Sequence, residues 1–328
     1  MKPERIKKVN EVEILIISNK FDFTTDYITH ELHKLGIPYV RINRDEFPSY
    51  GIKLSLSNEE LHIKISGNKF IVTNEKLKSV YFRAPTFLRY LYTPLEPENQ
   101  LFKSQWASFI RNLIIFENAL WINHPVNTYK AENKLFQLKV AKEIGFKIPF
   151  TLVSNNGDLL GLDDKNKYVI KTLDAGLFKI GKKEAFIYTN IVKGNELTNN
   201  SNLKLLPVII QEYLYPKLDI RATVVGNKVW AVKILKQGKS IDGDWRRTKK
   251  EELEFISVDL PHDINLLCST LVKKLGLSFG AIDLAYCDSE YFFLEVNPTG
   301  EWAWLINSAG LDIHKLIAKL LFSGVIKT

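Results

Sequence analysis

An α/β protein with more than one domain is what this sequence predicts, and three observations carry that expectation. The chain has 328 residues, room for about two domains of ordinary size. With 45% hydrophobic and 25% charged residues, it has the composition of a folded chain and not of a disordered one. Its first elements read strand, helix, strand, and runs with a period of two follow them.

Residues 12–18 are a compact apolar strand ending in a polar turn. Across 25–35, Tyr27, Ile28, Leu32 and Leu35 fall on one helical face, and Gly36 ends that helix. Residues 37–42 form the next strand. Segments 53–56, 61–65 and 70–72 read as short antiparallel strands, separated by Asn58 and by Gly67-Asn68. Residues 79–83 are another strand, followed by Ala84-Pro85 and a proline-rich loop at 91–97. The spacing of Phe102, Trp106, Phe109, Leu113 and Phe116 predicts one long helix over 98–120. Asn123-His124-Pro125 breaks the chain, and the first domain boundary is placed there. A helix is expected at 130–144, closed by Gly145, and strands at 151–153, 168–171, 184–191 and 208–213. A second boundary falls near Tyr215-Pro216. Strands 220–225 and 229–234 flank Gly226-Asn227, a two-residue hairpin turn. A helix at 262–275, strands at 279–286 and 291–296 and a helix at 311–322 complete the pattern. Three units result: 1–123, 124–214 and 215–328.

The formal charge of +8 favours anionic partners, although scattered lysines are equally a solvated basic surface. Cys268 and Cys287 make neither a metal cluster nor a disulfide scaffold, which points to a reducing cytoplasm. No apolar stretch is long enough to span a bilayer, and no signal-peptide core opens the sequence, so no membrane partner is expected.

Several residues carry chemistry. Glu295 and Asn297 stand two apart on a strand and so share a face. Their carboxylate and amide oxygens are hard ligands suited to Mg²⁺, and a hairpin brings Asp283 beside Glu295. A polar strand edge beside a turn is the alternative. Lys171 ends the apolar strand Tyr168-Val169-Ile170, and Lys134 lies in the helix after the chain break. Both suit phosphate, against the alternative of snorkelling to the surface. The stretch 173–183 contains Gly176 and Gly181 and reads as a loop over phosphates, though it is no Walker sequence. The apolar run Val208-Ile209-Ile210 leads into Gln211, Glu212, Tyr213 and Leu214, where backbone groups suit adenine. Asp219, Arg221, Lys233 and Asp244-Trp245-Arg246-Arg247 follow, with Arg221 and Lys233 on opposite arms of the hairpin. Arginine forks match phosphate and carboxylate oxygens, and a solvated basic loop is the other reading of Arg246 and Arg247.

In order, Lys134, Lys171, Gln211-Glu212, Asp219-Ile220-Arg221, Asp283 and Glu295-Val296-Asn297 resemble the ATP-grasp superfamily. The resemblance implies an N-terminal pre-ATP-grasp α/β domain with an antiparallel insertion at 1–123. A central lid at 124–214 and a C-terminal domain at 215–328 would sandwich ATP. It also implies Lys134 and Lys171 as nucleotide lysines, Gln211 to Leu214 as the adenine hinge with Asp219 in the nucleotide set, and Asp283, Glu295 and Asn297 as Mg²⁺ ligands. Over nearly the whole chain there is a closer likeness. It is carried by Tyr81-Phe82-Arg83-Ala84-Pro85 with Arg89, Ala131-Glu132-Asn133-Lys134-Leu135-Phe136-Gln137-Leu138, and Asn297-Pro298-Thr299-Gly300-Glu301-Trp302-Ala303-Trp304. These stretches resemble the graspetide synthetases, which make microviridin-like side-chain esters and amides. Ile16-Ile17-Ser18 with Phe21-Asp22 resembles their grasp-with-spasm members. Glu301 stands where that family usually carries glutamine, and Trp302 and Trp304 read equally as packing residues.

The implied reaction activates an Asp or Glu side chain of a ribosomal precursor peptide as an acyl phosphate. A Thr or Ser hydroxyl or a Lys amine then displaces phosphate and closes a ring. Arg221, Arg246 and Lys233 are the catalytic candidates. Arg83 and Arg89 are expected to bind an acidic peptide, with ion pairs to Glu96 or Glu98 as the alternative. Two other functions compete: a RimK-like ligase that adds an amino acid to a protein or small acid, and a basic nucleic-acid binder. The second lacks an aromatic-interleaved basic stripe. The resemblance further implies a homodimer.

Overall fold

Asp22 shows how local chemistry starts the fold. Its carboxylate accepts from the backbone of Thr24 and Thr25 and caps helix α1, Phe23–Lys34, after strands β1, Asn10–Glu11, and β2, Ile14–Ser18. The computed structural model describes residues 9–83, 96–174, 177–180 and 183–324. After β3, Tyr39–Asn43, come β4, Gly51–Ser55, β5, Glu60–Ile65, and β6, Asn68–Thr73, then β7, Ser79–Phe82. Two sheets result. One is parallel, in the order β3-β2-β7 with a fourth strand beside β7; the other has the order β1-β6-β5-β4. Strand β2 is buried along its whole length, as its unbroken apolar run requires.

The expected helix over 98–120 is shorter. Helix α2 spans Pro97–Asn112, a 3₁₀ turn follows at Leu113–Ile115, and Leu120–Ile122 is strand β8, parallel to β7. The apolar spacing continues past the helix because Phe116 and Trp121 are both core residues, and the turn between them is closed by Trp121 Nε1 donating to the Phe116 carbonyl. The helix expected at 130–144 is two, α3 at Pro125–Ala131 and α4 at Lys134–Glu143. Asn133 separates them, its amide donating to the carbonyls of Tyr129 and Lys130.

Strands β9, Thr151–Ser154, β10, Lys167–Lys171, the hairpin β11, Leu177–Ile180, with β12, Lys183–Phe186, and β13, Asn190–Lys193, precede helix α5, Gly194–Thr198, and β14, Val208–Glu212. The strand expected at 184–191 is therefore two, and β11 was not foreseen. The four-stranded sheet has the order β13-β10-β14-β9 and a small core of Leu160, Tyr168, Leu197, Leu203 and Ile210.

The last sheet is antiparallel and five-stranded. Strands β15, Leu218–Val225, and β16, Lys228–Lys236, turn at Gly226-Asn227, where Gly226 has φ 56°. Then come β17, Leu253–Val258, helix α6, His262–Lys274, β18, Phe279–Cys287, β19, Glu290–Asn297, and helices α7, Trp304–Ala309, and α8, Ile313–Ser323. The order is β17-β16-β15-β18-β19. Ile220, Ala222, Val224, Ile282 and Val296 form one face and pack on Leu138 and Ala141 of α4 and Cys268 and Leu271 of α6. Neither β17 nor α7 was anticipated.

The break at Asn123 is a pinned crossing. Asn123 is buried and makes four bonds through its side chain, donating to the carbonyls of Phe279 and Pro298 and accepting from the amides of Ser278 and Phe279. A single apolar cluster runs across it, joining Ile14, Ile16, Ile28 and Leu32 to Phe279, Trp302, Ile313 and Ile317. No helix among the described residues is long and apolar enough to cross a membrane.

Candidate active site

The polar face of the five-stranded sheet builds the floor of the site. Arg221 pairs with Asp283 across β15 and β18, and Asp283 pairs with Glu295 across β18 and β19. Directly paired residues share a face, so the three side chains stand in one row. Arg221 grips Asp283 through Nε at 2.7 Å and Nη2 at 3.4 Å. Arg246, from the loop before β17, reaches the same carboxylates, with Nη2 at 3.0 Å from Asp283 and 3.4 Å from Glu295. The Asn297 amide lies 3.4 Å from Glu295. Burial pushes the Glu295 carboxyl up, but Arg246, Lys134 and Lys171 outweigh it and bring its pKa to about 2.

Lys171 and Gln211 hang over this floor from the four-stranded sheet. Val169 pairs with Gln211 and Lys171 with Ile209, so Lys171 and Gln211 are diagonal neighbours on one face, 2.8 Å apart. Burial lowers the Lys171 pKa, the mark of an ammonium held away from water. Lys134 links the layers, donating to the Thr172 carbonyl at 3.0 Å and standing 3.9 Å from Glu295. Between them lies a cavity of about 620 Å³.

The expected residues divide as follows. Lys134, Lys171, Gln211, Glu212, Tyr213, Leu214, Asp219, Arg221, Arg246, Asp283, Glu295 and Asn297 all line this cavity. Glu212 also ties the hinge to the residue before β9, its carboxylate accepting from the Phe150 amide at 3.2 Å. Tyr213 stacks on Tyr215 and hydrogen-bonds Asp242. Asp219 pairs with Lys217. Lys233 is not brought to the site: it pairs with Ile220, so it shares the opposite, helix-covered face, one residue out of step with Arg221. Arg83 does not itself line the cavity: it is buried and bonded to Asp22, the Thr299 carbonyl and Glu301, the last two of which line the cavity, and not to Glu96 or Glu98. Arg89, Gly176 and Gly181 lie outside the described residues. Leu177–Ile180, inside the expected loop, forms a hairpin with Lys183–Phe186.

Two contributors stand in the quoted stretches without an assigned role. Gln137 is buried one helical turn after Lys134, and its side chain bonds both the amide and the carbonyl of Val296, between the two expected metal ligands. Its i+3 spacing from Lys134 was the available signal. Asp244 bridges the sheets, accepting from the Thr189 amide at 3.2 Å and from the Arg246 amide at 3.1 Å.

Two carboxylates and an amide oxygen converging among cations fit a hard divalent ion, and two lysines beside a hinge strand fit a nucleotide polyphosphate. No family model and no curated protein matches the chain. Solved structures do. The macrocyclase MdnC, bound with precursor peptide MdnA from Microcystis aeruginosa MRC, is 25% identical with a TM-score of 0.79, covering 95% of this chain and 99% of that one. A RiPP-associated ATP-grasp ligase of Chryseobacterium gregarium, in complex with ADP and a leader and core peptide, is 26% identical with a TM-score of 0.79, covering 96% and 97%. The ATP-grasp ligase PsnB, complexed with minimal precursor, shares the fold at 17% identity and a TM-score of 0.76, covering 95% and 99%. With this fold and this site, the chain is an ATP-dependent ligase of ATP-grasp architecture that resembles the RiPP peptide maturases.

Proposed function

We propose that the chain matures a ribosomal precursor peptide by joining Asp or Glu side chains to Thr, Ser or Lys side chains at the expense of ATP. The observation that carries this reading is the convergence of Lys134, Lys171 and Gln211 with Arg221, Arg246, Asp283, Glu295 and Asn297 around one cavity. Residues 124–214 act as the lid and 215–328 as the floor.

ATP is a substrate here. A peptide carboxylate oxygen attacks the γ-phosphorus, ADP leaves, and the peptide carries an acyl phosphate. A hydroxyl or amine then attacks the acyl carbon, loses its proton and expels phosphate, so each ring removes one water from the peptide. Lys171 and Lys134 hold the polyphosphate, and the hinge from Gln211 to Leu214 holds the base. Arg246, partly exposed at the cavity wall, meets the transferred phosphoryl group and the peptide carboxylate, while Arg221 sets the Asp283 carboxylate. Asp283, Glu295 and Asn297 would hold Mg²⁺, which offsets phosphate charge when bound. The lid over the floor keeps water from the acyl phosphate.

A homodimer in the cytoplasm belongs to the same reading; light scattering tests the first. The activity is tested by mass spectrometry of candidate acidic, Thr- or Lys-containing peptides incubated with enzyme and Mg²⁺–ATP. Successive losses of water matched by ADP release are expected. A gain in mass by one amino acid would instead identify a ligase of free amino acids.

A further inference from the structure

Arg83 is a charged side chain in the interior that the site does not use directly. It directly follows β7, with a side chain only 6% exposed, against Asp22 at 4%. Its three nitrogens reach three different parts of the chain: Nε donates to Asp22, Nη1 to the Thr299 carbonyl and Nη2 to Glu301, each at 3.0 Å. Asp22 is itself held by the hydroxyls of Ser18, Thr24 and Thr25 and by the first amides of α1. Burial pushes its carboxyl up, but Arg83 and these hydroxyls hold it well below the carboxylate range. One end of Arg83 is therefore anchored in the N-terminal sheet.

The other end grips the turn that follows Asn297. That turn has little freedom. Asn123 donates to the Pro298 carbonyl, and a Cβ on Gly300 would meet Ala281 Cβ at 2.6 Å. Gln137 brackets Val296 on the other side of Asn297. Arg83 is the member of this set that brings in the N-terminal half of the chain through charge. A guanidinium fork suits the task, since it satisfies a carbonyl and two carboxylates in one plane, which a lysine ammonium does only in part.

We propose that Arg83 is a positioning residue for the magnesium ligands: by fixing the turn at Thr299 it sets Asn297 beside Glu295, and so makes metal binding depend on the N-terminal sheet. This rests on the reading of Glu295 and Asn297 as magnesium ligands. Glu301, whose side chain is 66% exposed, is the outer jaw of the clamp, and Asp22 is the inner one.

Calorimetry of ADP binding at graded magnesium concentrations tests this on the whole chain, with melting followed in parallel. Arg83→Met is expected to raise the half-saturating magnesium concentration about tenfold, as loss of an outer partner of a metal ligand does, and to leave ADP binding without magnesium unchanged. Arg83→Lys should recover part of the difference. A folded Arg83→Met protein with the wild-type magnesium requirement overturns the proposal, whatever its melting temperature, because a clamp that only joins two halves lowers stability alone. If Arg83→Met does not fold, Glu301→Ala decides. A rise of about two- to threefold supports the clamp, and no change overturns it. Glu295→Gln separates the two readings: if it leaves the magnesium requirement unaltered, the metal assignment falls first. If it raises the requirement and Arg83→Met does not, only the clamp falls.

Discussion

The floor and the lid of this site are held by different physics. Arg221, Asp283 and Glu295 stand in one cross-strand row of a five-stranded sheet whose other face is covered by α4 and α6. Asn123 and Gln137 pin that sheet with buried side-chain bonds to its backbone. Lys171 and Gln211 ride on a smaller sheet with a core of its own. That smaller sheet and its loops meet α4 and the floor through polar contacts: Thr172 through its carbonyl to Lys134 of α4, Thr189 through its amide to Asp244, and Asn190 to Arg247. The floor's groups sit where packing fixes their geometry, and the smaller sheet's groups meet them through bonds that water can replace, as the proposed lid role requires.

The largest effect is expected where the floor itself is cut. Glu295→Gln and Asn297→Ala should each lower ring formation and ATP turnover by about 100-fold or more while circular dichroism and melting stay near wild type. Near-native turnover in both variants would break the assignment of the floor as the metal-bearing half. On the lid, Lys171→Met should weaken ATP binding by about 1.5–3 kcal/mol, the scale of a hydrogen bond to a charged group. Calorimetry that finds ATP affinity unchanged would leave Lys171 as a structural partner of Gln211. Gln137→Leu sharpens the contrast from the structural side. It strands the Val296 amide and carbonyl, and denaturant unfolding should find the protein about 1–3 kcal/mol less stable. The smallest effect belongs to the tether. Arg247→Ala should cost about 1 kcal/mol or less in stability, as for other exposed contacts. It should nevertheless raise the ADP released per water lost from the peptide, because a looser lid lets water reach the acyl phosphate. An unchanged ratio would mean that Arg247 does not hold the lid.

Much of the floor was legible because strand chemistry is local. The spacing of Glu295 and Asn297 sets their common face, and one hairpin sets Asp283 beside them. The same logic misplaced Lys233, because choosing between faces needs the register: Arg221 pairs with Val232, and Lys233 is one step on. The ion pairs of Arg83 were sought nearby, at Glu96 or Glu98, while its partners Thr299 and Glu301 lie more than 200 residues away, at separations of 216 and 218. Helix ends failed for a related reason. The 3.6-residue apolar period continues through Phe116 toward Trp121, and only the parallel pairing of β7 with β8 turns Leu120–Ile122 into a strand.

Helix α8 carries a consequence for how the molecule is made. It closes the N-terminal sheet: Ile313, Ile317 and Leu321 pack with Ile14, Ile16, Ile28 and Leu32, and Ser79 Oγ donates to the Leu321 carbonyl across 242 residues. During synthesis the first strands and α1 leave the ribosome long before the segment that covers them. Until Ile313–Ser323 emerges, that apolar cluster lacks its α8 partners, and the long loop between them adds an entropic cost to the closure. The first elements to be made are therefore among the last to be finished, and in a growing chain this is the surface that a chaperone would meet.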